Sequence, residues 1–479
     1  MGQEINRCEF SEEDRKHFGG RLDEETRELE ACFRDNRFGH GPGTCGLEME
    51  GWLVDDNAEA APENEAFLKA LDSPLVVPEL SRFNFEINTT PQPPAPRMFR
   101  SMHDQLHETW TACEETAHTL GLFPLHIGTL PTLEDHVMTL ANMSPMQRYY
   151  ALNQQVLRNR QGSPLAIDIK GRHDHLHVEH RDVMTEAATT SLQIHLQLDN
   201  SSAVRFYNAA HILSAPMVAL SANSPYLFGH ELWEESRIPL FEQAVAVPAF
   251  YDREAHLIER VTFGTGYAID SLMEVFQENR DSFPPLLPLL YPEGNQKLEH
   301  LRLHNGTIWR WNRPLIDFDG NGNPTLRLEH RVAPAGPSLP DSIANIVFFY
   351  GLIHHLAELD DAPEHRLGFG PAAANFYGAA RKGIEATVFW LDGHEYGLRE
   401  LLLNELIPAT DRSLRRLGVA VEDIQAYLHN IVGERVRTGQ TGAAWQRGYI
   451  ARYGRDFGAM TRAYRDNQSR QIPVHQWTL

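Results

Sequence analysis

The stretch CGLEMEGWLV, residues 45–54, decides how this chain is read. Side chains two apart on a β-strand share a face. Glu48 and Glu50 therefore point one way, and Leu47 and Met49 the other. Three further segments repeat the arrangement. In RFNFEINTT (82–90), Asn84, Glu86 and Asn88 oppose Phe83, Phe85 and Ile87. In TSLQIHLQL (190–198), Gln193, His195 and Gln197 oppose Leu192, Ile194, Leu196 and Leu198. In TLRLEHRVA (325–333), Arg327, Glu329 and Arg331 oppose Leu326, Leu328 and Val332.

One such strand is ordinarily half of a sheet whose polar side meets water. Solvated faces, however, usually mix Lys, Thr and Ser with acids. These four faces carry Glu, Asn, Gln, His and Arg, with no Lys. Together they predict a shared cavity. Bare carboxylates cost several kcal/mol each to bury, so divalent cations are expected among them. Oxygen donors suit Mg²⁺ or Mn²⁺ better than zinc. Arg327 and Arg331 would then meet phosphate or carboxylate groups by bidentate pairing.

Outward from these strands, the pattern predicts helices over 22–34, 98–120 and 205–222. In the second, Met98, Met102, Leu106, Cys113, Ala117 and Leu120 recur at helical spacing and Gly121 follows as a cap. A further strand is expected over 301–312, a loop at Pro91–Pro96, and an almost wholly helical region from about 341 onward. Strands set apart by long insertions, followed by helices, give an α+β class with a mostly antiparallel sheet. With no repeat or linker, one catalytic domain over 1–479 is expected: a sheet-bearing core at about 40–335 and a helical region at about 340–479.

The 43 basic and 65 acidic residues give a net charge of -22. Such a chain repels nucleic acid and anionic membrane. Anionic substrates therefore need a local positive site. No apolar stretch is long enough to span a bilayer; the best candidate, Ile346–Leu356, is short, carries His354 and His355, and reads as a buried helix. Cys8, Cys32, Cys45 and Cys113 form no C-x-x-C pair, and four thiols in so long a chain indicate a reducing compartment. The first residues lack the basic and apolar regions of a signal peptide, and Asn6 breaks the myristoylation pattern. A cytoplasmic location is expected, and homo-oligomer formation is left open.

A carboxylate does not react with an amine at neutral pH, because its oxygen leaves poorly. Phosphorylation by ATP removes that obstacle, and needs metals and arginines around the transferring group. The chain has no G-x-x-x-x-G-K-[ST] and no kinase motif set, so an ATP site would rest on metals.

Taken in order, the segments resemble the glutamate–cysteine ligase family, a carboxylate–amine ligase branch with a fold related to glutamine synthetase. Gly46-Leu47-Glu48-Met49-Glu50 looks like its opening Gly-x-Glu-x-Glu strand, and Glu79 with Phe85–Thr89 like its second acidic strand. Leu192–His195 is similar to its His-bearing strand. Ser221–Tyr226, with Gly229 and Arg237, matches its Ala-Asn-Ser-Pro helix end. Gly264–Tyr267, His304–Arg313 and Leu328–Arg331 follow as in the family, and Ala443–Gln446 is similar in the helical region. The resemblance implies a curved antiparallel sheet with helices on its outer face. It implies ATP with Mg²⁺ or Mn²⁺, and glutamate and cysteine as small-molecule substrates. It assigns Glu48, Glu50, Glu86, His195 and Glu329 to metal. Glu48, Glu50, Gln193, His195, Arg310 and Arg327 go to the nucleotide; Gln193 stands where some relatives carry a second His. Arg331 and Arg237 are assigned to catalysis.

Two rival readings remain. His173, His175 and His177, beside Asp174 and His180, could serve a zinc or other transition-metal hydrolase, or form an exposed His-rich hairpin. A non-catalytic scaffold with the same fold is the other. His300 and His304 lie on different faces if 301–312 is a strand. Asp317–Asn323 lacks the twelfth-position Glu of a calcium loop and reads as a hairpin turn. Cys45 reads as a small buried apolar residue, and Trp445 with Tyr449 as helix packing.

Overall fold

The computed structural model describes residues 4, 5, 7–39, 41, 43–247, 250, 251, 257–292 and 297–479. The strands that position the site are β1 (Cys45–Val54), β2 (Val76–Pro78), β3 (Asn84–Asn88), β4 (Phe123–Leu125), β5 (Leu165–Lys170), β6 (His175–His180), β7 (Ser191–Leu198), β8 (Asn312–Phe318) and β9 (Pro324–Pro334). The helices that matter are α1 (Glu12–Arg34), α2 (Met98–Thr119), α3 (Gln147–Asn159), α4 (Ala203–Ser221), α5 (Arg237–Ala244), α6 (Met273–Ser282), α7 (Glu299–Gly306) and α8 (Leu339–Ala357).

Seven strands form one curled antiparallel sheet in the order β8-β9-β7-β1-β3-β2, with β4 also paired to β1. The four strands read from sequence are thus neighbours, and their register aligns the polar positions. Glu50 lies opposite Glu86, Glu48 opposite Asn88 and Gln193, and His195 opposite Glu329.

The apolar face carries Leu47, Met49, Phe85, Ile87, Leu192, Ile194, Leu328 and Val332, all buried. Helices α4 and α8 pack together over it. Ser342 of α8 meets the Met49 sulfur at 3.9 Å, and Phe349 lies 4.7 Å from the His330 ring. His330 is the one polar side chain of β9 on this side. Burial pulls its pKa down to about 3, and its Nδ1 pairs with Asn312 Oδ1 at 2.7 Å. Nearly every residue of α4 and α8 is buried, as apolar character all round a helix requires. Ser338 caps α8 by accepting from the Asp341 amide, with Pro340 in the first turn. Among the described residues no helix is long and apolar enough to cross a membrane.

One prediction is corrected. Residues 301–312 are not a single strand: Glu299–Gly306 is helical, and strand begins at Trp309. Leu301 and Leu303 alternate with polar residues, which imitates a strand. The helix is set by a distant partner, since Glu25 of α1 accepts from the Leu301 amide at 2.8 Å and contacts His300 Nδ1 at 2.6 Å. His300 and His304 accordingly share a helix face, but His304 Nε2 is engaged separately with the Asn279 carbonyl at 2.8 Å.

Other features agree with the sequence reading. Asp319 closes the turn between β8 and β9 by accepting from the Asn321 and Asn323 amides. Cys45 is buried, and burial pushes its thiol up to about 12. Trp445 and Tyr449 pack with ring centroids 5.5 Å apart.

Candidate active site

The polar face of the sheet forms the floor of a cavity rather than an open surface. Along β1 every residue is buried except Glu48 and Glu50, which open into a cavity of about 600 Å³. Glu48, Glu50, Glu86, Gln193, Arg327, Glu329 and Arg331 all line it. The opposite wall brings Phe276 of α6, Leu301 and Arg302 of α7, and Tyr291, Lys297 and Trp309. His195, a predicted metal and nucleotide ligand, is buried and absent from the cavity wall, where it is reached only through Glu48, its Nε2 3.2 Å from Glu48 Oε1.

Two electrostatic groups divide the cavity. In the first, one carboxylate oxygen each from Glu50, Glu79 and Glu86 lies within 4.8 Å of the others. Glu50 is fixed by the Ser191 amide (2.6 Å), the Ser191 hydroxyl (2.8 Å) and Gln193 Nε2 (3.0 Å). Glu86 accepts from Asn88 Nδ2 at 2.9 Å, and its other oxygen, fully buried, has no partner. Burial, then Glu48 and Glu79, hold the Glu86 carboxyl well above its ordinary range. Burial and Glu50 push Glu79 up to about 7. Burial and Glu79 push Glu186, from the turn before β7, up to about 8. Three acids so close, one of them with an orphaned oxygen and all of them offering oxygen donors only, fit a hard divalent cation of the Mg²⁺ or Mn²⁺ kind.

The second group is neutralised by protein. Glu329 accepts from Arg313 (2.9 Å) on one oxygen and from Arg331 (2.8 Å) on the other. Burial opposes its ionisation, but Arg313 and Arg331 outweigh burial and hold it below the ordinary range. Arg331 also donates to Gln193 Oε1 at 2.6 Å. Glu48 behaves likewise: burial raises it, His195 offsets this, and the carboxyl falls to about 2.

The placement differs from expectation in three respects. Glu79 joins Glu50 and Glu86 in the close trio, whereas Glu48 sits with His195, and Glu329 sits between two arginines. Arg237 does not line the cavity. It is 2% exposed, pairs with Glu235 at 3.3 Å, lies over the Trp311 ring and donates to the carbonyls of Arg331 and Val332. Those carbonyls lie where the β9 register shifts, between His330 and Ala333. Arg310 is also absent from the cavity wall, its guanidinium bonded to Glu278 and to Asn279 Oδ1.

Glu186, Arg148 and Arg313 line the cavity without having been singled out in sequence. Arg313 ends the HNGTIWRWNR segment (304–313), and its cross-strand place opposite Glu329 was the signal available. Glu186 and Arg148 lie outside the sheet, where no alternation marks them.

The fold is shared with solved structures. Glutamate–cysteine ligase from Francisella tularensis, solved in complex with AMP, superposes with a TM-score of 0.58 at 14% identity, covering 90% of this chain and 89% of that one. A bifunctional glutathione synthetase from Pasteurella multocida superposes with a TM-score of 0.55 at 13% identity, covering 92% of this chain and 54% of that one. No curated protein matches the sequence closely. The family model for glutamate–cysteine ligase family 2 matches residues 44–467, and the chain belongs to that family.

Proposed function

We propose that this chain is a Mg²⁺- and ATP-dependent carboxylate–amine ligase acting on small molecules, with glutamate and cysteine as the leading pair and γ-glutamylcysteine, ADP and phosphate as products. The observation that carries this reading is the meeting, on one concave sheet face, of a close carboxylate trio that keeps an unpartnered Glu86 oxygen with the Arg313–Glu329–Arg331 set. In the first step a substrate carboxylate oxygen attacks the γ-phosphorus and ADP leaves. In the second the amine nitrogen attacks the acyl carbon, phosphate leaves, and the amine gives up its proton.

Each group has a part in this scheme. Glu50, Glu79 and Glu86, supplemented by Glu48 and His195, would hold divalent cations, which neutralise the triphosphate when bound. Arg331, aligned by Glu329 and Gln193, faces the transferring phosphoryl group or the substrate carboxylate. Arg313 fixes Glu329. Arg327, Lys297 and Arg302 extend positive charge along the cavity toward the nucleotide. Arg237 acts as a positioning residue through the backbone of Arg331 and Val332, and Arg310 as a support for α6. The reading includes a single catalytic domain and a cytoplasmic setting.

The hydrolase reading finds no support in geometry, because no residue of the His-rich hairpin lines the cavity. The scaffold reading does not account for the retained acids.

The test is ADP release by purified protein with Mg²⁺ and ATP, screened over amino-acid carboxylates and amines beginning with glutamate and cysteine. Release that requires both partners, or proceeds slowly with the carboxylate alone, is expected. Absence of turnover with every pair would overturn the proposal.

A further inference from the structure

Glu186 lines the cavity but has no part in the two-step scheme. It projects, half-buried, from the 3-10 turn Met184–Ala188 that leads into β7. Met184, Thr185, Ala187 and Ala188 are buried, and the Glu186 side chain alone of this turn reaches the cavity. Backbone bonds fix the turn. The Val183 amide donates to Asn153 Oδ1 at 3.0 Å, and the Glu186 amide to the Val183 carbonyl at 3.0 Å. The Thr189 amide and hydroxyl donate to the Glu186 carbonyl at 3.0 and 2.9 Å. The same run of chain continues to Ser191, which holds Glu50, and to Gln193, which meets Arg331. Glu186 thus stands on one rigid segment with the groups that orient Glu50 and Arg331.

The acids that the strands send into the cavity each have a donor. Ser191 and Gln193 hold Glu50, His195 meets Glu48, two arginines hold Glu329, and Asn88 donates to one oxygen of Glu86. Among the described residues the Glu186 carboxylate has no hydrogen-bond donor and no ion pair. It also stands outside the Glu50–Glu79–Glu86 trio, so it is not placed to share that cation. Arg331 is the cation whose charge reaches it, and that guanidinium is committed to Glu329 and Gln193. An acid left unanswered on a cavity wall calls for a cation brought by the ligand. We infer that Glu186 seats the ammonium group of the amino-acid donor, and so selects amino acids over carboxylates that lack one. This inference rests on the ligase reading and deepens it.

A zwitterionic donor brings both charges that this wall is set to receive. Its reacting carboxylate meets Arg331, and its ammonium, a few bonds away, donates to Glu186. Burial, Glu79 and Glu50 oppose ionisation of Glu186. An ammonium beside it supplies the counter-charge that Arg331, shared with Glu329, does not. The acceptor amine is the other ammonium a ligase meets. Its nitrogen must attack the acyl carbon through its lone pair, and a carboxylate that held it protonated would withhold that pair. The donor is therefore the occupant. A donor of the same length without an amino group leaves Glu186 shut in the complex with no partner, and this is the source of the discrimination.

The full chain is titrated by calorimetry with glutamate and with glutarate, the same molecule without its amino group. Mg²⁺ and β,γ-imido-ATP are present, so no turnover is needed. The parent should bind glutamate more tightly than glutarate. Glu186→Gln should weaken glutamate about ten- to a hundredfold and leave glutarate within about threefold. Its thermal midpoint should not fall, because the lost acid had no partner. Glu186→Asp, which keeps the charge at a shorter reach, should lie between parent and Glu186→Gln. In turnover the KM for the donor should rise while the KM for the amine stays where it was. Equal losses on both ligands would make Glu186 structural, a shift in the amine KM would place it at the acceptor, and weaker Mg²⁺ binding without nucleotide would make it a cation ligand. Each of these overturns the inference, as does unchanged discrimination. Where the ADP-release screen identifies another donor, that amino acid and its des-amino analogue replace the pair. A screen with no productive donor ends the ligase reading itself, whereas a productive donor whose discrimination survives Glu186→Gln ends this inference alone.

Discussion

The Glu86 oxygen without a partner concentrates the residue-scale question, because ionising this buried carboxyl costs stability unless an ion answers it. Glu86→Gln removes the ionisable group and keeps the shape. In metal-free protein its thermal midpoint should equal or exceed that of the parent, while ATP turnover with Mg²⁺ falls at least about a hundredfold, on the order of 3 kcal/mol. A lower midpoint with retained turnover would make Glu86 structural. The neighbours predict a pH effect of definite sign. Glu79 and Glu186 rise from 4.5 to about 7 and about 8 in the folded chain. Between the ordinary carboxylate range and pH 8 the folded state then holds more protons than the unfolded one, so metal-free stability falls as pH rises. Mg²⁺ competes for the same carboxylates. The rise in melting temperature it produces should therefore be small near pH 5 and grow toward pH 8. A rise independent of pH, measured by scanning calorimetry, would contradict the trio as the cation site.

At the scale of elements, β9 separates two arginines that sequence alone grouped together. Arg331 reaches into the cavity, whereas Arg237 of α5 stays buried off the cavity wall and bonds the backbone of the strand where its register shifts. Arg237→Ala leaves Glu235 buried without its counter-charge, held only by the Asn223 amide and the Ser224 hydroxyl, and should cost about 3–5 kcal/mol of stability. Arg331→Ala leaves Glu329 still bonded to Arg313, so denaturation should shift far less while kcat/KM falls sharply. Equal stability losses in urea denaturation would erase this distinction. The same contrast shows what was legible in the sequence. Strand faces could be read because burial imposes a period of two on β1, β3, β7 and β9. Glu79 comes from a loop and Glu186 from a short 3-10 helix (Met184–Ala188), where no period of two marks direction. Helix α7 was misread because its decisive partner, Glu25, lies far away in the chain. Motif matches located Arg237 and Arg310 in sequence, but side-chain direction follows from tertiary packing.

Over the whole molecule, one buried cluster takes side chains from Phe18 to Trp477, so the segment before the family match is part of the same packing. Helix α1 braces α7 through Glu25, and α7 supplies Leu301 and Arg302 to the cavity. The residues ahead of α1 go further. Ile5 lines the cavity and packs with Phe10, Ala151, Leu287 and Leu289 in a smaller apolar cluster. Arg158 donates to the Phe10 carbonyl at 3.2 Å, tying this strap to α3. Because Ser11 caps α1, deleting residues 1–10 removes the strap and spares the helix start. An acyl phosphate survives only where water is excluded. The truncated chain should then release more ADP per amide formed, and release it faster when the amine is withheld. Loss of the small cluster should lower the melting temperature only by a few degrees. The two products are counted in one reaction, so a change in their ratio does not depend on how much protein is active. An unchanged ratio would show that the sheet and its helices exclude water from the cavity without the strap.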